Sequence, residues 1–182
     1  MPNWCSNSVT LTHKDPEQIK RASESLARGE LMNEFVPVPA QLKEATASSS
    51  PEYAEQNEKN IADTGYASWY DFCVSEWGTK WDVEAWSNEV TNDGLTLECS
   101  FDTAWTPPIT FFDKLVGKGF DVVAYYWEPG IGFVGKYDNG FDEYYEYHDE
   151  TSDTVRDLIG AELDDMFNIS EDMAQWEEEN EE

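Results

Sequence analysis

Basic residues are scarce in this sequence. Its 182 residues include 11 Lys plus Arg against 39 Asp plus Glu, which gives a formal net charge of −28. Nucleic-acid phosphates and anionic membrane surfaces repel a chain with this charge, so we expect no direct binding to either. The sequence also lacks an apolar run of the roughly 18 residues that a membrane helix needs, and no signal-peptide pattern opens it. We therefore expect no membrane segment.

Cysteine is also rare. Cys5, Cys73 and Cys99 are odd in number, widely spaced and without a Cys-x-x-Cys pair. A disulfide framework normally needs an even number of cysteines, so this pattern favours reduced thiols in a protein core. The sequence therefore predicts a cytoplasmic protein.

The residue patterns of common catalytic and cofactor sites are missing. The two histidines, His13 and His148, belong to no HxH or HExxH pattern. Gly130-x-Gly132-x-x-Gly135 has the letters of a dinucleotide loop, but it precedes a predicted hairpin, so no helix N-terminus would hold the pyrophosphate. The acidic residues near His148 lack EF-hand spacing. We predict a protein that is not an enzyme, with no catalytic residue, metal or cofactor.

The sequence does contain enough apolar residues for a core, since 40% are hydrophobic and 14% aromatic. Alternating, helical and turn patterns predict the following elements: a strand at 4–13, a helix that begins at Asp15-Pro16 and ends at Gly29, an extended connector at 35–39, a polar insertion of loop and weak helix at 44–64, a short helix at 66–74, strands at 81–90 and 95–102, a helix that opens at 106–108, and a strand at 121–127.

The order strand, helix, strand, strand, helix, strand predicts the fold class. With an antiparallel hairpin turning at Thr91-Asn92-Asp93-Gly94, this order is the split βαβ, ferredoxin-like arrangement of the α+β class, an antiparallel sheet with helices on one face. A C-terminal hairpin turning at Asp138-Asn139-Gly140 and an acidic helix follow. The predicted boundaries are a ferredoxin-like domain at 1–150 with the insertion at about 44–64, an acidic helix at 151–169, and a mobile acidic tail at 170–182.

The string Trp77-Gly78-Thr79-Lys80-Trp81 has two interpretations. In the first, a platform for a nucleotide or another small molecule is formed by Trp77, Thr79, Lys80, Trp81 and Trp105. In the second, the tryptophans pack in the core and Lys80 caps backbone carbonyls. The sequence leaves both open.

Three stretches resemble one known family. They are Asn3-Trp4-Cys5 with Val9 and Thr10, Trp77-Gly78-Thr79-Lys80-Trp81-Asp82, and Phe101-Asp102-Thr103-Ala104-Trp105-Thr106-Pro107-Pro108. This combination resembles the phage and plasmid family typified by YubB and Api-like proteins, over roughly residues 1–135. The resemblance implies a mobile-element origin, and hence a bacterial host cell, together with a ferredoxin-like domain of unknown function. It brings no established activity and no catalytic residue.

Negative charge is concentrated at the end of the chain, where residues 121–182 carry two basic and twenty acidic side chains. In a continuous helix, Asp153, Asp157 and Asp164 fall within roughly 40° of each other, about 6 and 10 Å apart along the axis. A stiff row of carboxylates imitates duplex DNA, which carries one charge per about 1.7 Å of its axis. The predicted partner-binding residues are Asp142, Glu143, Glu146, Asp149, Glu150, Asp153, Asp157, Glu162, Asp164 and Asp165.

The acidic end and the resemblance together predict a non-enzymatic binding protein of phage or plasmid origin. It would mimic nucleic acid and inhibit a host defence protein, such as a restriction or CRISPR factor, by occupying the basic groove of that protein. The predicted partner is thus a basic protein that binds or cleaves nucleic acid. Two alternatives stay open: a small-molecule or nucleotide-binding module that uses the Trp-Gly-Thr-Lys-Trp face, and an acidic surface that only keeps the protein in solution.

Overall fold

The computed structural model describes residues 2–45 and 51–180. Within them, six antiparallel strands form one sheet in the order β2-β3-β1-β4-β5-β6. The strands are β1 (Trp4–Thr12), β2 (Ala85–Thr91), β3 (Thr96–Ala104), β4 (Asp121–Glu128), β5 (Phe133–Asp138) and β6 (Phe141–Glu146). The α-helices are α1 (Pro16–Ala27), α2 (Leu31–Phe35), α3 (Ala54–Thr64), α4 (Trp69–Glu76), α5 (Ile109–Gly117), α6 (Val155–Phe167) and α7 (Ile169–Asn180). The predicted mixed α+β class is confirmed.

Local sequence signals explain where α1 begins and ends. The Asp15 carboxylate accepts a hydrogen bond from the Glu17 backbone N–H at 3.0 Å, and Pro16 occupies the first helical position. Both features deal with backbone donors that a helix N-terminus otherwise leaves unpaired. Gly29 lies just past the end of the helix with φ +71°, a backbone conformation that favours glycine. The predicted limits of this helix are therefore confirmed.

The first core lies between one face of the sheet and the helices α1 and α5. Its buried side chains include Val9, Leu11, Ile19, Leu26, Leu97, Phe101, Phe111, Phe112, Leu115 and Val122. β1 and β3 pair antiparallel with Trp4 opposite Ala104, so the start of β1 and the end of β3 lie side by side. This register places Trp4 close to the segment that contains Trp105.

The second core lies on the opposite face, between β4, β5 and the C-terminal helices. Successive strand residues point to opposite faces of a sheet, so Trp127 faces this core while Tyr126 lies on the α5 side. The buried members of the second core are Val134, Tyr147, Val155, Ile159, Leu163 and Ile169. The expectation of helices on one face is therefore met by α1 and α5 but not by α6 and α7.

Several predicted boundaries are wrong. Gly160 interrupts α6, because its φ of +80° and ψ of +159° are not helical. Residues 169–180 form α7 in place of the predicted tail, and residues 181–182 lie outside the described residues. The polar insertion, by contrast, contains the eleven-residue helix α3, as its predicted weak helix requires, and its residues 46–50 also lie outside the described residues. The strand predicted from residue 81 begins only at Ala85.

Within the described ranges, we find no helix with the length and apolar character that crossing a membrane requires.

Candidate functional site

Two groups of side chains are candidates for function. The first is the acidic unit, defined as residues 121–180, which comprise β4, β5, β6, α6 and α7. It contains all ten of the predicted partner-binding carboxylates. The second, here called the tryptophan surface, consists of Trp4, Trp81, Trp86, Trp105 and the ammonium group of Lys80.

The two basic side chains of the acidic unit are both engaged within the unit. The Lys136 Nζ lies 2.7 Å from the Glu162 carboxylate. The Arg156 guanidinium lies 2.5 Å from Asp164 and 2.7 Å from Asp165. The unit has eighteen acidic residues, so fifteen carboxylates have no Lys or Arg partner among the described residues. Glu128 is buried, and the other fourteen of these carboxylates are exposed or half-buried, so the unit presents a strong negative charge that its own Lys and Arg do not compensate.

The predicted row of Asp153, Asp157 and Asp164 is wrong. Asp153 precedes α6, and the interruption at Gly160 changes the helical phase between Asp157 and Asp164. Asp164 is only 2% exposed, so it does not face a partner. A helical-wheel argument holds only for an unbroken helix, and this one is broken between the residues that it joins.

Asp164 instead holds the start of α7. Its carboxylate accepts hydrogen bonds from the backbone N–H of Ser170 at 2.7 Å and from the Ser170 hydroxyl at 2.8 Å. Burial acts to raise the pKa of Asp164, but these hydrogen bonds and the Arg156 guanidinium outweigh it and leave the pKa lowered. Asp164 therefore has a structural role.

Other contacts also tie the C-terminal helices to the sheet. Hydrogen bonds from Lys136 and Tyr125 lower the pKa of Glu162. The Glu177 carboxylate accepts the Ser152 backbone N–H at 2.9 Å and the Ser152 hydroxyl at 2.6 Å, and the pKa of Glu177 is lowered by them. Charged side chains that were predicted to face solvent thus fix α6 and α7 in place.

The acidic residues of β6 diverge because a strand alternates its faces. The Asp142 carboxylate accepts a hydrogen bond from the Tyr126 hydroxyl at 2.6 Å, on the α5 side of the sheet. Burial raises the pKa of Asp142, and the Tyr126 hydrogen bond opposes that shift. Glu143 lies on the other side of the strand and accepts from Tyr145, while Glu146 accepts from Tyr144. These three carboxylates do not form one surface.

The remaining predicted carboxylates lie close together in the chain, in the connection from β6 to α6 and at the start of α6. The Asp149 side chain is 91% exposed, and Asp153 and Asp157 are exposed as well. Glu150 is half-buried and accepts a hydrogen bond from the Thr154 hydroxyl at 2.6 Å. We call these four residues the 149–157 segment; three of them are exposed and one is half-buried, and they are neighbours in the chain.

Trp77 and Thr79 of the predicted ligand platform lie in the core. Trp77 is 4% exposed, and its indole N–H donates to the Val36 carbonyl at 2.9 Å. Thr79 is 2% exposed and donates its hydroxyl proton to the Ala104 carbonyl at 3.3 Å. Trp77 still lines a cleft together with Lys80 and Trp81, but both Trp77 and Thr79 are almost completely buried. Their burial and hydrogen bonds favour the core interpretation for these two side chains.

Lys80, Trp81 and Trp105 do come together at the surface. The Trp81 and Trp105 rings stack with centroids 6.3 Å apart and an interplanar angle of 24°. The Lys80 Nζ lies 4.3 Å from the Trp81 ring centroid and 5.7 Å from that of Trp105, within the range of cation–π attraction. Trp105 has φ +67°, which is strained for a bulky residue, and its backbone N–H is fixed by the Asn3 carbonyl at 2.9 Å.

Sequence reasoning missed two members of the tryptophan surface. Trp4 is 48% exposed, with its ring centroid 6.3 Å from that of Trp81. Trp86 is 77% exposed. Trp4 stands at an outward position of the alternation in β1, and that signal was available in the sequence. The irregular pairing of β2, which displaces Trp86, was not.

The cysteines and the possible metal ligands show no reactive arrangement. Cys5, Cys73 and Cys99 are free and buried, and burial raises the pKa of Cys73 and of Cys99 to about 12. A thiol with such a pKa stays protonated and unreactive at neutral pH. In the part of the chain that the structure describes, no three His, Cys, Asp or Glu side chains are grouped as metal ligands.

Comparison with known proteins shows a distant structural likeness. No family model matches the chain, and no curated protein matches it. Among solved structures, the chain is similar to the crystal structure of the protein Api92 from Yersinia pseudotuberculosis, family model DUF1281, with a TM-score of 0.41 and 12% sequence identity over 81% of this chain and 98% of that one. The match is structural and weak, and no activity or origin follows from it.

Proposed function

We propose that this protein is a non-enzymatic acidic binding protein that occupies the basic groove of a host protein that handles nucleic acid, such as a restriction, CRISPR, repair or recombination factor. One observation carries the proposal. Lys136 and Arg156 each form ion pairs with carboxylates of the acidic unit itself. Fifteen other carboxylates of the unit have no Lys or Arg partner among the described residues. Such a surface repels other anions and attracts Lys and Arg side chains.

The mechanism is competition for the partner's phosphate-binding residues. Carboxylates of the acidic unit take the Lys and Arg partners that phosphates would otherwise have, with the 149–157 segment as the central contact. Exposed Phe141 and Trp176, 69% and 66% exposed, offer apolar contact area within the same unit. The charges are spread over a loop, a helix and a sheet edge, so the proposed match to the groove is one of charge sign and not a straight copy of a duplex.

The finer points of fold and origin belong to the same proposal. The order β2-β3-β1-β4, with α1 and α5 packed on one face, supports a ferredoxin-like core to which β5, β6, α6 and α7 are added. The phage or plasmid origin depends on the family resemblance of the three sequence stretches given above.

The proposal predicts salt-sensitive binding that depends on position as well as on net charge. We expect the triple variant D149N/D153N/D157N to bind a basic nuclease about tenfold or more weakly, because three exposed ionic contacts of about 0.5 kcal/mol each are lost. The measurement is affinity for purified restriction and CRISPR nucleases at low and high salt, with duplex DNA as competitor. Exposed charges are screened over about 10 Å at 0.1 M salt, so binding of the unchanged protein should fall steeply with salt.

A matched control separates the site from the overall charge. The variant E24Q/E55Q/E58Q removes the same number of exposed charges from α1 and α3, outside the acidic unit. It should retain the affinity and the salt dependence of the unchanged protein. Equal weakening by both triple variants, or binding that is indifferent to salt, would contradict the proposed docking surface.

A second candidate function is a small-molecule or nucleotide site beside Lys80, Trp81 and Trp105. The observation in its favour is the meeting of one ammonium group with two stacked indole rings. A rise in the thermal midpoint on addition of a nucleotide, abolished by Trp81→Ala, is the expected result for this candidate. An unchanged midpoint with all common nucleotides would count against it.

A further inference from the structure

A cleft of about 570 Å³ opens at the edge of the sheet, beside the paired ends of β1 and β3. It is lined by Trp4, Trp81, Asp82, Glu84, Ala85, Trp86 and Asp102. Three tryptophans and three carboxylates thus surround one cleft. It lies outside the acidic unit, and any ligand it binds is independent of the function proposed for that unit.

The fold holds the three indole rings at the surface instead of burying them. Trp4, Trp81 and Trp86 are 48%, 40% and 77% exposed. The pairing of β2 with β3 shifts register between Ala85 and Ser87, so Trp86 is the extra residue of a β-bulge. A bulge of this kind redirects one side chain relative to a regular strand. Clustered exposed aromatic side chains typically mark a binding site.

The charge around the rings favours a cation. Glu84 and Asp102 carry formal negative charges at the cleft, and the whole chain has a net charge of −28. The Lys80 ammonium lies against Trp81 but is not one of the residues that line this cleft. Tryptophan faces attract cations through the negative potential of the ring. An anionic ligand would instead be repelled by these carboxylates.

Two of the three carboxylates already have hydrogen-bond donors. The Asp82 carboxylate accepts the backbone N–H groups of Met32 and Val83 at 2.9 Å and of Asn33 at 2.8 Å. The Asp102 carboxylate accepts the Ser6 hydroxyl at 3.0 Å. A guanidinium group needs several well-placed acceptors, whereas a trimethylammonium group needs none, only negative potential and aromatic faces.

We propose that the cleft formed by Trp4, Trp81, Trp86, Glu84 and Asp102 binds a trimethylammonium group. The rings of Trp4 and Trp81, with centroids 6.3 Å apart and 36° between their planes, form one wall. Trp86 contributes the third indole ring, and the two carboxylates balance the ligand charge. The group can belong to a small metabolite of the choline type or to a trimethylated lysine side chain of another protein.

The test is isothermal titration calorimetry of the full chain with choline and with its neutral isostere 3,3-dimethylbutan-1-ol. We expect choline to bind and the alcohol to bind at least about tenfold more weakly, because only the former carries the charge that the rings attract. Trp86→Ala and Asp102→Asn should each weaken choline binding, by about tenfold for the tryptophan. Trp176→Ala, which removes a 66% exposed tryptophan outside the cleft, is the matched control and should leave choline binding unchanged.

Two more titrations distinguish the source of the group and the type of cation. A peptide with one trimethyllysine that binds more tightly than choline assigns the site to a protein partner, and the reverse order assigns it to a small molecule. Tighter binding of arginine amide than of either ligand would overturn the trimethylammonium assignment. The proposal is also overturned if neither trimethylammonium ligand binds, or if Trp86→Ala binds choline as well as the unchanged protein does. None of these results bears on the acidic unit.

Discussion

Replacing Gly135 with alanine is expected to destabilise the fold by up to about 3 kcal/mol. A Cβ atom at this position of β5 would overlap with the Tyr126 hydroxyl oxygen and with the Glu143 backbone oxygen. The Tyr126 ring is fully buried and its hydroxyl is hydrogen-bonded to Asp142, so it cannot move aside easily. The Glu143 oxygen belongs to the neighbouring strand, and moving it would disrupt the pairing of β5 with β6.

Urea unfolding followed by circular dichroism measures the effect. Gly117→Ala is the matched control, because a Cβ atom at Gly117 meets nothing within 4 Å and the residue is the last of α5. Alanine has the higher helix propensity, so the control should be neutral or slightly stabilising. A Gly135→Ala protein as stable as the control would show that β5 and β6 adjust their spacing freely, in contradiction to the packing described here.

The close packing around Gly135 is an example of a requirement that the sequence alone does not reveal. The sequence shows this glycine only as the third in Gly130-x-Gly132-x-x-Gly135, a pattern that runs into β5. Its steric reason was hidden, because Tyr126 and Glu143 become its neighbours only through the pairing of three strands. Requirements of this kind come from tertiary register, which local patterns do not specify.

The predictions that succeeded depend on short-range physics. The Asp15-Pro16 helix start, the alternation of Leu97, Cys99 and Phe101, and the turn at 138–140 each follow from a few adjacent residues. α7 was missed because its twelve residues are mostly charged or polar, which is typical of a tail. Only Ile169 and Met173 connect it to the second core, and a pattern this sparse does not show where a helix docks.

The candidate acidic surface was predictable in amount but not in arrangement. Counting residues located the negative charge at the end of the chain, and that count does not depend on conformation. The predicted row failed because one conformation, at Gly160, changes the direction of every later side chain in α6. The ion pairs inside the unit also join residues that are separated in the chain. Lys136 contacts Glu162, 26 residues away, and Arg156 contacts Asp164 and Asp165, 8 and 9 residues away. The number of acidic residues follows from composition, whereas the orientation of their side chains depends on the fold.

The Trp-Gly-Thr-Lys-Trp string divides into a buried half and an exposed half, and a pair of substitutions should reveal the division. Trp77→Ala is expected to lower the free energy of unfolding by about 3–5 kcal/mol, because it empties a core position. It also leaves the Val36 carbonyl without the indole donor at 2.9 Å. Trp81→Ala should change stability by less than about 1 kcal/mol, since the side chain is 40% exposed and mainly contacts other surface tryptophans.

Urea unfolding of both variants measures their stability, and titration with choline measures their affinity for the cation. Trp81→Ala should fold normally and lose affinity for the cation, whereas a Trp77→Ala protein that still folds should keep the affinity because Trp77 does not line the cleft. Equal destabilisation by the two substitutions would mean that the string acts as one structural unit. Two indole groups four residues apart then differ in role for one physical reason: the chain turns at Gly78, whose φ is +83°, and places one ring in the core and the other at the surface.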